Sequence, residues 1–133
     1  LHVGVISVEE PGRGPLAVPI WYDYKPGGEL WIITDRGSRK GKLLDAAGRF
    51  SLCAQTESVP YKYVMVEGPL VSVDSTDMES VGRAMAHRYL GKELGDQYVE
   101  ATRADAERGD TVCYRMRPER WLTVDYAKQF SQL

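Results

Sequence analysis

The segment from Tyr61 to Asp74 is β-prone along its length, yet Glu67-Gly68-Pro69 interrupts it near the middle. Proline lacks the N–H that a central ladder needs, and the glycine beside it permits a bulge or a sharp bend. Whether it is a strand pair or one bent strand, a break of this kind lets a sheet curl on itself, so this segment directs the chain toward a β-barrel.

The other staves can be read in order. His2 to Val8 alternates as a strand, and the Pro- and Gly-rich stretch Glu9 to Pro15 is a loop. Leu16 to Tyr24 reads as a second strand, with Pro19 confining it to an edge or a bulge and leaving nearby backbone groups open to another partner. Lys25-Pro26-Gly27-Gly28 turns the chain into a return strand, Glu29 to Thr34. Arg49 to Gln55, Thr111 to Met116 and Arg120 to Val124 complete a set of roughly five or six strands. From Asp77 the period changes: Met78, Val81, Met85 and Tyr89 recur at helical spacing, which predicts a helix with both methionines in the core. A second, more charged helical stretch is expected from Leu94 to Glu107. The fold class is mainly β with appended helices.

A chain of 133 residues suits a single domain spanning 1–133, and the start at Leu1-His2-Val3, without an initiator Met, leads us to expect an N-terminal segment before it. With 17 basic and 19 acidic side chains the net charge is −2, which argues against a general nucleic-acid binder. Cys53 and Cys113 lie far apart in apolar segments and read as reduced core residues; no metal-ligand spacing is present. With neither a membrane-length apolar run nor a signal peptide, the expected location is the cytoplasm.

One stretch resists a purely structural explanation. In Thr34-Asp35-Arg36-Gly37-Ser38-Arg39-Lys40-Gly41-Lys42, Ser38 is a good N-cap, which makes Arg39 and Lys40 the first helical residues. Cations there face the positive end of the helix dipole, and Gly41 weakens the helix further. A phosphate bound at this turn would account for the choice; a solvated basic helix start is the plain alternative. Gly48 is expected to stop the helix after about Ala47.

The order of Val18-Pro19-Ile20-Trp21, Ile33-Thr34, Ser38-Arg39-Lys40-Gly41-Lys42, Phe50-Ser51-Leu52 and Val66-Glu67-Gly68-Pro69 resembles the pyridoxamine 5′-phosphate oxidase-like superfamily, over roughly Val3 to Val71. The resemblance implies an antiparallel split β-barrel of Greek-key type, the FMN-binding split barrel, forming a homodimer with the cofactor at the subunit interface. It implies that Arg39 and Lys40 hold the cofactor phosphate, with Ser38 capping the same turn. Val18, Pro19, Ile20 and Trp21 would lie along the ring, Ile33 and Thr34 would touch the cofactor from a strand end, and Tyr63 would approach it from the next hairpin. The chain departs from true pyridoxamine phosphate oxidases, whose C-terminal segment carries basic and His residues that complete the site; here the chain passes Trp121 and ends soon after Lys128. The resemblance is therefore to small members that use FMN or the deazaflavin coenzyme F420, as oxidoreductases transferring hydride to or from an unknown small molecule. Alternative readings are a non-catalytic flavin carrier and a haem-handling relative with His2 or His87 as axial ligand. No catalytic residue is assigned: Tyr22, Asp23, Glu67 and Trp121 are better explained by packing or local structure. The strand aromatics Trp21, Trp31, Tyr61 and Tyr63 add to the expectation of a dimer.

Overall fold

The computed structural model describes residues 2–104 and 110–130. Its elements in chain order are β1 (Gly4–Val8), β2 (Leu16–Ile20), β3 (Asp23–Tyr24), β4 (Leu30–Asp35), α1 (Arg39–Ala47), β5 (Arg49–Gln55) and β6 (Lys62–Ser75). A π-helical turn (Met78–Gly82) then leads into α2 (Arg83–Ala101), followed by β7 (Thr111–Met116), β8 (Arg120–Asp125) and the short α3 (Ala127–Phe130).

Of the two readings of this segment, a strand pair or one bent strand, the structure has the bent strand, β6. The first half of β6 pairs antiparallel with β5 on one side and β8 on the other, while its second half, beyond Pro69, pairs with β7. The ladder slips between Leu70 and Ser72, just after the Gly68-Pro69 step. At the bend the chain linking β7 to β8 crosses close: a Cβ on Gly68 would collide with the Arg117 carbonyl. Arg117 N–H donates to the Pro69 carbonyl at 3.0 Å, and Glu119 N–H donates to the Glu67 carbonyl at 2.9 Å. The strand order is β2-β1-β5-β6-β7-β4-β3, with β8 also on β6.

The described residues form eight strands, more than the sequence pattern suggests. The stretch from Leu16 to Tyr24 breaks at Trp21-Tyr22, so that β2 pairs with β1 and β3 pairs with β4. A side chain takes the place of a ladder there: Tyr22 N–H donates to the Tyr89 hydroxyl at 3.1 Å, and that hydroxyl donates back to the Tyr22 carbonyl at 3.0 Å. As Pro19 requires, β2 is an edge strand.

Alternation decides the core. Ile6, Val8, Ile32, Leu44, Leu52 and Tyr114 are almost completely buried, each aliphatic one contributing about 1.5–3 kcal/mol. Cys113 is buried as expected, but Cys53 is only half-buried, because it alternates with Leu52 and Ala54 and turns outward. On that outer face the registers align Pro19, Val5, Cys53, Met65 and Leu122 in one row across five strands.

The helical region also departs from the periodicity. Asp77 caps the π-helical turn, its carboxylate accepting from Glu79 N–H at 3.0 Å, and Met85 is buried as expected, but Met78 is only half-buried. The two predicted helices follow one another directly, separated by the non-helical backbone of Gly91. The predicted end of the second, at Glu107, lies outside the described residues. No helix among the described residues is long and apolar enough to cross a membrane.

Candidate functional site

The basic turn is a rigidly built helix start. Ser38 has extended backbone (φ −68°, ψ 162°); its Oγ donates to the Asp35 carbonyl at 2.6 Å and accepts from Gly41 N–H at 3.1 Å. Gly41 is needed for close approach, since a Cβ there would collide with the carbonyls of Asp35 and Arg36, so the chain itself fills that space. Asp110, preceding β7, fixes the turn: its Oδ2 accepts from Gly37 N–H at 2.8 Å and its carbonyl accepts from Arg36 N–H at 2.8 Å. From the core, the Tyr114 hydroxyl has two acceptors at 3.3 Å, the Gly41 carbonyl and Asp45 Oδ1. Burial first, and then Asp45, push the Tyr114 phenol up to about 12.

At this start the N–H groups of Arg39 and Lys40 have no intrahelical acceptor, and no acidic residue occupies the first turn. Their side chains diverge. Arg39 reaches back to Glu10 in the β1–β2 loop, Nη2 to Oε2 at 2.6 Å, and remains 58% exposed. Lys40 turns inward and is half-buried; burial lowers its pKa below the usual lysine value, and nearby Asp35 only partly opposes this. Lys40 has no hydrogen-bond or ion-pair partner among the described residues.

Lys40 lines a cleft of about 430 Å³, well within the range of small-molecule sites. One wall is the end of β2, with Pro19, Ile20 and Trp21; another is the end of β4, with Ile33, Thr34 and Asp35. Asp35 is itself held by the Thr111 hydroxyl, which donates at 2.9 Å. Val3 and Thr111 contribute edges, and Met78, Tyr98 and Thr102 form the remaining wall from the helical region. Among these lining residues Lys40 is the one cation and Asp35 the one carboxylate.

Six of the ten residues singled out from the sequence thus meet in one cleft: Pro19, Ile20, Trp21, Ile33, Thr34 and Lys40. Ser38 lies behind the helix start as its cap, and Val18 packs against the core. Arg39 is on Glu10, outside the lining. Tyr63 lines a different groove, of about 440 Å³, together with His2, Tyr22 and Val124. His87, weighed as a haem ligand, has Nε2 2.7 Å from Asp96 Oδ1, and no group of three or more His, Cys, Asp or Glu among the described residues could hold a metal ion. Sequence reading missed Met78, Tyr98 and Thr102. Helical spacing assigned Met78 to the core, and the charged stretch holding Tyr98 and Thr102 read as exposed. Two glycines inside a helical pattern, Gly91 and Gly95, were the available signal.

No family model and no curated protein matches this chain, so the comparison rests on shape. An F420 reductase superposes with a TM-score of 0.74 over 91% of this chain and 89% of its own, at 18% identity. A Listeria innocua protein described as a pyridoxamine 5′-phosphate oxidase gives 0.66 over 93% and 89%, at 13% identity. The fold is the split barrel that these proteins share. An FAD-binding protein of Mesorhizobium loti shares the split barrel as well, with a TM-score of 0.59 over 92% of this chain and 85% of its own, at 18% identity. At such identities the likeness is one of fold. In this split barrel, the edge strand β2, the end of β4 and the capped start of α1 are among the parts that frame the cleft.

Proposed function

We propose that the cleft binds a phosphorylated flavin, FMN or the deazaflavin F420, and that the chain is an oxidoreductase acting with it on a small molecule. The observation that carries this reading is Lys40: a half-buried cation with no pairing partner among the described residues, beside first-turn N–H groups that lack acceptors. A phosphate supplies the missing anion. Pro19, Ile20, Trp21 and Ile33 offer a largely apolar surface for a flat ring, and Thr34 adds a hydroxyl. When bound, the cofactor supplies the hydride chemistry; the chain supplies the phosphate anchor, the ring surface and partial exclusion of water. Structural neighbours that are an F420 reductase and an FAD-binding protein support a flavin-type ligand.

The same reading makes the chain a cytoplasmic homodimer with the cofactor at the subunit interface, which both free cysteines and the apolar outer row suit. Val5 and Leu122 in that row are 42% and 49% exposed, more apolar surface than a monomer gains by showing.

Fluorescence titration tests the anchor. One charge-assisted contact is worth roughly 1.5–3 kcal/mol, so Lys40→Ala should weaken FMN or F420 binding about ten- to a hundredfold. Riboflavin, with the ring but no phosphate, should bind weakly and change little. A wild type that binds riboflavin as tightly as FMN, and does not bind F420, would remove the phosphate site from this cleft.

A further inference from the structure

Trp21, just past the end of β2, contacts two aromatic residues of α2. Tyr89 stacks on it, with ring centroids 5.2 Å apart and planes 5° from parallel; Tyr98 packs on it at 5.0 Å with a tilt of 52°. These two tyrosines belong to different arms of α2. Between them Gly91 adopts φ 80°, ψ 176°, a conformation essentially restricted to glycine, and the chain folds back on itself. The arms then pack closely: a Cβ on Gly95 would lie 2.6 Å from His87 Cδ2. Asp96 ties them together, its Oδ1 lying 2.6 Å from Arg83 Nη1 and 2.7 Å from His87 Nε2.

Tyr89 spends its hydroxyl on the Tyr22 backbone. Tyr98 does not have such a partner: its hydroxyl makes no hydrogen bond among the described residues, although the residue lines the cleft and is 41% exposed. Thr102, on the same wall, turns its hydroxyl onto its own helix, donating to the Tyr98 carbonyl at 2.9 Å. The second arm therefore places on the wall of the cleft an aromatic ring whose hydroxyl is uncommitted among the described residues, while the charged anchor, Lys40, comes from α1.

We propose that Tyr98, braced by Trp21, forms the seat of a second ligand in this cleft, a flat aromatic molecule carrying a hydrogen-bond acceptor, and that Tyr98 selects it by donating its phenol hydrogen to that acceptor. The proposal deepens the cofactor reading by naming what binds beside the cofactor, but the Trp21–Tyr98 geometry stands without it. Ring contact attracts flat molecules in general. The hydroxyl distinguishes among them, because a matched acceptor gains a hydrogen bond and an isostere without one does not.

Quinoline and naphthalene separate the two contributions, since they share a shape and differ by one acceptor nitrogen. Binding to the full chain, free and saturated with FMN, can be followed by the indole N–H resonance of Trp21. Quinoline should bind the wild type more tightly than naphthalene. Tyr98→Phe should weaken quinoline about three- to tenfold, leave naphthalene within about twofold and leave FMN affinity within about twofold. Tyr98→Ala should weaken both probes, with circular dichroism confirming the fold. Equal quinoline affinity in Tyr98→Phe and wild type overturns the proposal, as does failure of either probe to move the Trp21 resonance. Displacement of quinoline by FMN, or loss of FMN affinity in Tyr98→Phe, also overturns it, by giving the seat to the cofactor ring. Should FMN fail to bind at all, the cofactor reading falls while the comparison on the free chain still decides this one.

Discussion

Both carboxylate oxygens of Glu10 lie against Arg39 Nη2, at 2.6 and 2.7 Å, so one of the two cations at the start of α1 is already paired. The other, Lys40, faces the cleft. A phosphate that recruits Arg39 must displace Glu10, and a solvent-exposed pair of this kind is worth at most about 1 kcal/mol. Glu10→Gln should therefore tighten FMN or F420 binding by up to about fivefold and leave riboflavin unchanged, while Arg39→Ala should cost less than Lys40→Ala. Weaker binding in Glu10→Gln would instead make Glu10 a residue that positions Arg39 for the ligand.

The lowered pKa of Lys40 sets a direction for pH dependence. A bound phosphate favours the charged ammonium, so affinity should fall as pH rises through the lowered value, short of the ordinary lysine value of 10.5. The ratio of FMN to riboflavin affinity, measured over roughly pH 7 to 11, isolates the phosphate contribution. A ratio that stays flat up to the ordinary lysine range would separate Lys40 from the anion.

Tyr114 joins the core to the helix start, and Tyr114→Phe should cost about 1 kcal/mol in urea unfolding through the lost hydrogen bond. The phenol is raised from 10.0 to about 12 in the fold. Its contribution is fully present below pH 10 and is lost as pH rises toward 12, because the folded chain holds the proton longer than the unfolded one. The variant should lack that alkaline loss; unfolding curves that stay parallel across this window would contradict the assignment.

Leu122 stands opposite Met65 at the end of the outer apolar row and is half-exposed. Leu122→Glu should fold with little change in stability, since exposed positions tolerate substitution, but should break association between copies. Light scattering should show the mass falling from that of two chains to the 14.9 kDa of one. A wild type that is already monomeric with cofactor added would remove the shared-interface reading.

Where a feature depends on neighbours within a turn or a few strand positions, the residues alone were enough. Ser38 caps α1 because its hydroxyl reaches Gly41 N–H three residues on, and Glu67-Gly68-Pro69 bends β6 because backbone chemistry at those positions permits little else. Strand alternation likewise placed Leu52 in the core, while a general expectation of buried cysteine failed at Cys53, the next position along the same strand. The tertiary structure decided the rest. Arg39 and Lys40 are adjacent and alike in charge, and only Glu10, 29 residues earlier, sends one outward while the other turns into the cleft. Tyr22 became a break between two strands because Tyr89, 67 residues later, supplies its backbone partners. Tyr98 reached the cleft because the chain folds back at Gly91, and Tyr63 was carried to another groove by the register of β6. Local rules act through fixed covalent geometry, which the sequence carries with it; which side chain meets which across the barrel is set by how remote elements pack, and that is a property of the whole chain at once.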